Sequence, residues 1–249
     1  MKKAINENFW VEEDGYYASY LYGRQNLTRT QQSETLGESF CVLFGIADEE
    51  RAAKVISSMP VGEFGPPIFS PQIVSQPDYH NNGVWPYVTS FWGKAAAKAG
   101  NETALMHALA CNVRTASIYA TNYENYSFNT GNPYTTQINS PNMLWGLSGF
   151  MGLFHRTFFG LEFTKEGLAL KPFVPTVLAG TRKLEAFPYR GMKLDITVSG
   201  SGNEIASCLV DGKEAEAFIP ADWTGNHSIE IVMKGEHNPS SVNMVGYIG

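Results

Sequence analysis

Residues 85–119 read WPYVTSFWGKAAAKAGNETALMHALACNVRTASIY. Apolar side chains recur at helical spacing from Trp85 to Lys98 and again from Glu102 to Tyr119, and Gly100-Asn101 breaks the pattern between them. The stretch therefore predicts a helical hairpin, two helices reversed by a short turn. The same pattern extends on both sides. Upstream, Ser33 is a candidate N-cap for a helix carrying Leu36, Phe40, Leu43 and Phe44, closed by Gly45. Asp48 is placed to cap another, with Ala52, Val55 and Ile56 inward and Pro60 stopping it. Ala4, Ile5 and Phe9 share one face of a short first helix. Downstream, Pro141 is placed to open an apolar helix through Phe158, whose Gly146, Gly149 and Gly152 predict close packing against neighbours.

After Gly160 the period changes. Segments 168–174, 184–189, 192–198, 205–210 and 227–233 are short, alternate apolar with polar, and are separated by Gly, Asp, Asn or Pro. Asp211-Gly212 is a strong hairpin-turn pair. The expected fold class is α+β and multidomain. Residues 1–160 form about three helical hairpins, and residues 161–249 form a small antiparallel β-sandwich.

Composition narrows the function classes. The chain has 249 residues, 43% apolar and 17% charged, which suits a globular protein rather than a disordered tail. Its 18 basic and 24 acidic residues give a net charge of −6 with no Lys/Arg cluster, so no nucleic-acid partner is expected. Cys41, Cys111 and Cys208 are far apart and odd in number, and read as buried small hydrophobes; no metal and no cofactor is expected. No apolar run of about 18 residues and no signal peptide occurs, so no membrane partner is expected. The compartment stays open, a periplasmic or secreted parent protein included.

Three polar stretches carry candidate chemistry. The first is Tyr79-His80-Asn81-Asn82-Gly83-Val84-Trp85-Pro86, where a proline-rich loop meets a helix. His80, Asn81 and Asn82 suit sugar hydroxyls, and Trp85 suits a sugar face; the plainer reading makes Asn82-Gly83 a turn, Asn81 a cap and Trp85 core. The second is Asn122-Tyr123-Glu124-Asn125-Tyr126, followed by Thr130-Gly131 and by Trp145 in the next helix. A carboxylate among aromatic and amide groups is a good candidate base. An inverting glycosidase needs one carboxylic acid to protonate the leaving oxygen and a second carboxylate to activate water on the opposite face. The third runs from Thr30 to Gly37, where Glu34 is either a substrate contact or an acidic residue complementing a helix dipole.

The His80–Pro86 stretch resembles the HNG-x-VWP signature of debranching-type glucosidases, with one additional Asn. The Tyr123-Glu124-Asn125-Tyr126, Thr130-Gly131 and Trp145 series resembles the YE-x-Y, TG and W segment of the glucosidase I group. Both belong to the six-hairpin glycoside hydrolases, and the resemblance spans roughly residues 1–235. It implies half of an (α/α)6 toroid followed by the β-sandwich, with Glu124 the general base of an inverting hydrolase acting on α-glucosidic or related linkages. It also implies that His80, Trp85 and Tyr126 line the sugar subsite. Asn81, Asn82, Glu34 and Trp145 are the further candidate contacts, and the expected partner is an oligosaccharide or glycoside. Nothing here matches the family's acid-bearing segment, and Asp14 and Asp78 are the candidates at hand. A complete toroid has twelve helices, so the missing N-terminal hairpins, or self-association, are expected to complete the molecule. The alternatives are a non-catalytic carbohydrate-binding or structural fragment and, ranked below it, a phosphorylase or epimerase on the same barrel.

Overall fold

Three helices begin where a side chain accepts from the free amides of the first turn, and a fourth begins at a proline. The computed structural model describes residues 1–235 and 240–246. Six α-helices occur among them: α1 (Lys2–Asn8), α2 (Thr35–Leu43), α3 (Glu49–Ser58), α4 (Pro86–Lys98), α5 (Glu102–Tyr119) and α6 (Leu144–Leu153), the last continued by a π-helical turn, Phe154–Phe158. Asp48 caps α3 by accepting from the Arg51 amide at 2.9 Å, as the sequence predicts. Asn101 does the same for α5 through the Ala104 amide at 2.8 Å. Pro86 occupies the first turn of α4, where a missing N–H costs nothing.

Two N-terminal expectations are corrected. The cap of α2 is Glu34 rather than Ser33: its carboxylate accepts from the Leu36 amide at 3.1 Å and the Gly37 amide at 2.6 Å. The Ser33 hydroxyl is occupied elsewhere, donating to the Ser70 carbonyl at 3.2 Å. Helix α6 starts at Leu144, not at Pro141, because Asn142 adopts φ +59°, outside the helical region.

Helices α4 and α5 form the predicted hairpin, and α2 also packs on α4. Their shared interior is built largely of small residues around one large one: Ala95, Ala96, Ala104, Ala108 and Trp92 are fully buried. Small side chains let helix axes approach closely, and Trp92 fills the remaining volume. Asn112 of α5 donates to the Ser90 hydroxyl of α4 at 3.0 Å, satisfying a buried polar pair. Gly149 of α6 meets the expectation of close packing, since a Cβ there would lie 3.3 Å from both Ser90 Cβ and Tyr87 Cα; one on Gly146 would lie at an ordinary 3.7 Å from Pro86 Cβ. The six helices do not close into a barrel.

The molecule divides into two compact units, one comprising Met1–Met151 with Pro239–Gly249 and the other Gly152–Asn238. The second unit contains β1 (Leu161–Phe163), β2 (Gly167–Leu170), β3 (Gly180–Tyr189), β4 (Met192–Gly200), β5 (Glu204–Val210), β6 (Lys213–Glu214), β7 (Phe218–Pro220) and β8 (Gly225–Lys234). One sheet has the order β1-β2-β7 and the other β3-β4-β8-β5-β6. Alternate residues point to one apolar core: Met192, Leu194, Ile196 and Val198 from β4, and Ile229, Ile231 and Met233 from β8, meet Leu161, Leu168 and Ile219 of the small sheet. Asp211 and Gly212 both adopt positive φ, 50° and 74°, and close β5 onto β6 as the turn chemistry predicts.

The expectation of purely antiparallel pairing is corrected: β8 lies between β4 and β5, antiparallel to β5 and parallel to β4. Because β5 runs opposite to β4, any strand inserted between them must be parallel to one. The expected boundary at residue 160 and the unbroken β-domain to 249 also differ from the observed division. Asn243–Met244 pairs in parallel with Pro60–Val61 of the first unit, and Asn101 donates to the Ser241 carbonyl at 2.9 Å. Local alternation shows no sign of that return. Residues 236–239 and 247–249, counted with the β-domain from sequence, lie outside the described residues. No helix among the described residues is long and apolar enough to cross a membrane.

Candidate functional site

A chain of backbone hydrogen bonds gathers the polar loops of the first unit. The Thr35 amide at the start of α2 donates to Ile68, the Ile68 amide to Gly83, and the Phe128 amide to Asn82, at 2.9, 2.9 and 2.8 Å. Gly83 and Val84 pair with Ser127 and Tyr126. The Glu124 amide donates to the Ser140 carbonyl at 2.9 Å, just ahead of α6. The beginnings of α2, α4 and α6 and the loop after α5 are thereby stitched together, and all three predicted stretches fall within this region. Gly83 is required there, because a Cβ would sit 1.7 Å from the Tyr79 carbonyl oxygen.

Glu124 is half-buried, and the Tyr79 hydroxyl approaches its Oε1 at 3.5 Å, a long contact. Burial, and then the negative charge of Glu124, push the Tyr79 phenol up from its ordinary pKa. The loop that carries Glu124 is held from within. Asn125 is fully buried and donates to the Ile138 carbonyl at 3.0 Å, while Asn139 donates to the carbonyls of Asn125 and Pro133 at 2.7 and 2.8 Å. Such a loop keeps the backbone that carries Glu124 in place without help from a ligand.

The aromatic residues sort into those that build the site and those that face outward. Trp85 is only 4% exposed; its indole N–H donates to the Tyr79 carbonyl at 2.9 Å, and His80 stacks on it with centroids 4.8 Å apart. Tyr126 is 1% exposed, stacks on Tyr119, and its hydroxyl accepts from the Tyr123 amide at 3.3 Å. Neither offers a free ring face, so the expectation that Trp85 and Tyr126 line a sugar subsite directly is corrected: both are supports. His80 is exposed. Trp145 is 37% exposed, stacks on Tyr87 at 5.1 Å and meets the edge of Trp85 at 5.2 Å.

The amides and acids are likewise committed. Asn81 is a clamp, accepting from the Ile73 amide at 2.6 Å and donating to the carbonyls of Ile73 and Gln76 at 3.1 Å each. Asn82 has φ +48° and donates to Asp78 Oδ1 at 2.9 Å, while Ser127 donates to Asp78 Oδ2 at 2.7 Å. Asp78, a candidate acid, thus spends both oxygens holding two loops together. Asp14, the other candidate, is exposed, and after burial its charge helps to push the Tyr16 phenol up. Glu34 has both oxygens on backbone amides; burial pushes its carboxyl up, against those two hydrogen bonds and the charge of His80.

Three residues outside the predicted set complete the picture. Tyr79 and Tyr87 lie on either side of Trp85 in the sequence, and only the fold reveals that their side chains meet Glu124 and Trp145. Glu38 is 2% exposed and accepts from the Tyr17 amide at 2.8 Å through one oxygen. An acidic residue one turn after Glu34 on an amphipathic helix was the available signal. Burial, and secondarily the charge of Glu34, hold the Glu38 carboxyl well above the ordinary value near 4.5. A carboxyl with a raised folded-state pKa keeps its proton longer in the native than in the unfolded chain. Its contribution is complete below about 4.5 and is lost as pH rises toward the raised value. Glu38→Gln is therefore expected to match wild type in urea denaturation near pH 4 and to exceed it at pH 8. A variant less stable than wild type at pH 8 contradicts this account.

No protein-family model matches the chain, and no curated protein sequence matches it.

Proposed function

We propose that this chain carries the base carboxylate and part of the sugar subsite of a glycoside hydrolase, with Glu124 activating water in an inverting attack on an α-glucosidic or related linkage. The observation that carries the reading is the setting of Glu124: a half-buried carboxylate on an internally braced loop, touched by Tyr79, in the loop region that also holds His80 and the exposed Trp145. A carboxylate carried on a braced loop needs little backbone reorganisation to accept a proton from water. Trp145, backed by Tyr87, supplies the ring face a sugar needs, and His80 a hydrogen-bonding edge. Trp85, Tyr126, Asn81, Asn82 and Glu34 act by positioning the loops. Hydrolysis of a panel of aryl α-glucosides and oligosaccharides by wild type and Glu124→Gln is the test; full activity in the variant refutes the base assignment.

The finer architecture is part of the same proposal: helical hairpins from one half of an (α/α)6 toroid, followed by a β-sandwich. Its support is the α4–α5 hairpin and an apolar surface on the helices, where Val113, Ile118, Leu144, Leu147 and Met151 are 42–77% exposed. Further helices, or a second copy, would cover such a surface. Light scattering is expected to show concentration-dependent association of the isolated chain, reduced by Leu144→Lys with Leu147→Lys; a strict monomer at 100 μM or so would exclude self-association as its cover. A second reading, a carbohydrate-binding unit without turnover, is favoured by one observation: Asp78 is engaged on both oxygens. Calorimetric binding of oligosaccharides without hydrolysis would support it.

A further inference from the structure

The contact between Tyr79 and Glu124 spans two segments whose register is set a few residues further on. Gly83–Val84 pairs antiparallel with Tyr126–Ser127, so Tyr79 lies just before one short strand and Glu124 just before the other. A two-residue pairing is marginal in water unless packing shields it. On the polar side, Asp78 accepts from Asn82 and Ser127. On the apolar side, Val84 and Phe128 are 1% and 2% exposed. Both rest on the turn at Gly62–Gly65: a Cβ on Gly62 would lie 2.5 Å from Phe128 Cζ, and one on Gly65 2.6 Å from Val84 Cγ1. Val245, half-buried, packs on the same pair. It arrives on the segment that returns to Pro60–Val61. The Val245 amide donates to the Val61 carbonyl at 2.9 Å, and the Asn243 side chain to the Ser58 carbonyl at 2.8 Å. Thr103, at the start of α5, donates through its hydroxyl to the Ser240 carbonyl at 3.1 Å. Met244 is 53% exposed, so Val245 rather than Met244 carries the apolar contact.

We propose that Val245 is a positioning residue of the candidate site: residues 240–245 dock beside Pro60–Val61, Val245 completes the Val84–Phe128 cluster, and the completed cluster keeps Tyr79 and Glu124 in register. The Asn125–Asn139 brace gives the Glu124 loop its shape but does not attach it to the segment that carries Tyr79. That attachment runs through the Gly83–Val84 pairing, the Phe128 amide on the Asn82 carbonyl at 2.8 Å, and the bonds to Asp78. Water competes for the hydrogen bonds of so short a pairing, and an apolar cover excludes it. A segment held by a few hydrogen bonds and little apolar area undocks at lower cost than the helices unfold. Undocking opens the cluster and loosens the register, so the placement of Glu124 depends on a segment remote from it in sequence. The kinetic consequence rests on the reading of Glu124 as the base; the docking itself does not.

The test is amide hydrogen exchange by NMR on the whole chain, beside hydrolysis of an aryl α-glucoside. Val245→Asp sets a carboxylate against Val84 and Phe128 and is expected to speed exchange of the Phe128 amide by at least about tenfold. Exchange in β4 and β8 is expected to stay as in wild type. Val245→Ile is expected to keep wild-type protection, and Met244→Ser, at an exposed position, to change nothing. In the Val245→Asp chain kcat is expected to fall at least about fivefold, with KM changed by less than about twofold. Unchanged exchange at Phe128, or equal acceleration throughout β4 and β8, overturns the proposal, as does full kcat in a chain whose Phe128 amide is loosened. Local acceleration in a protein that hydrolyses nothing even as wild type supports the docking and refutes the base reading instead. If Val245→Asp does not fold, Val245→Ala decides the same questions, with an expected acceleration of about threefold or more.

Discussion

Glu124→Gln is expected to lower hydrolysis of α-glucosides by about 10²–10⁴-fold, the usual worth of a positioned general base, while oligosaccharide affinity changes by less than about threefold. The substitution keeps the shape of the side chain and removes its ability to take a proton from water. The Asn125–Asn139 brace does not involve the carboxylate, so the loop should retain its conformation. Tyr79 keeps an oxygen acceptor in the amide, which makes its contact at 3.5 Å a poor reason for a large structural effect. A loss in kcat with KM preserved is the signature of a base. A loss in binding with kcat preserved would instead place Glu124 among the contacts that hold the sugar.

Trp85→Ala and Trp145→Ala are expected to separate in opposite directions. Trp85 is 4% exposed and touches Tyr79, His80 and Trp145 through its ring. Removing it leaves a cavity under the start of α4 and orphans the Tyr79 carbonyl, at a cost of about 3–5 kcal/mol in stability. Trp145 is 37% exposed, stacked on Tyr87 and edge-on to Trp85, and leaves no enclosed cavity when removed, so its truncation is expected to cost about 1 kcal/mol in folding. Its effect should fall on sugar affinity, by roughly 1–2 kcal/mol, or about 5–30-fold. Denaturant titration and calorimetry with an oligosaccharide measure the two quantities separately. If Trp145→Ala left affinity intact, the sugar subsite would have to lie away from the start of α6.

The residues that misled the sequence reading share a cause. Trp85 and Tyr126 have the chemistry of sugar-stacking groups, and whether they stack on a ligand or on His80 and Tyr119 is set by neighbours 5 and 7 residues away along the chain in a folded loop. Asn81, Asn82 and Asp78 look like free polar groups in a loop, but the loop is closed by their own side chains. Ser33 lost the cap of α2 to Glu34 because Ser70, distant in sequence, took its hydroxyl.

By itself, the sequence determined the helical hairpin at 85–119, the change to alternating strands after residue 160, and the Asp211-Gly212 turn. Each depends on local periodicity or on one backbone conformation, which neighbouring residues suffice to specify. Tertiary structure alone decided that β8 enters between β4 and β5, that residues 243–244 return to Pro60–Val61, and that Tyr79 meets Glu124. It also decided that Glu38, the carboxyl within α2, is buried without a full set of partners. These are pairings between segments far apart in the chain. Their energies come from contacts that exist only once the chain has folded, so local pattern carries no record of them.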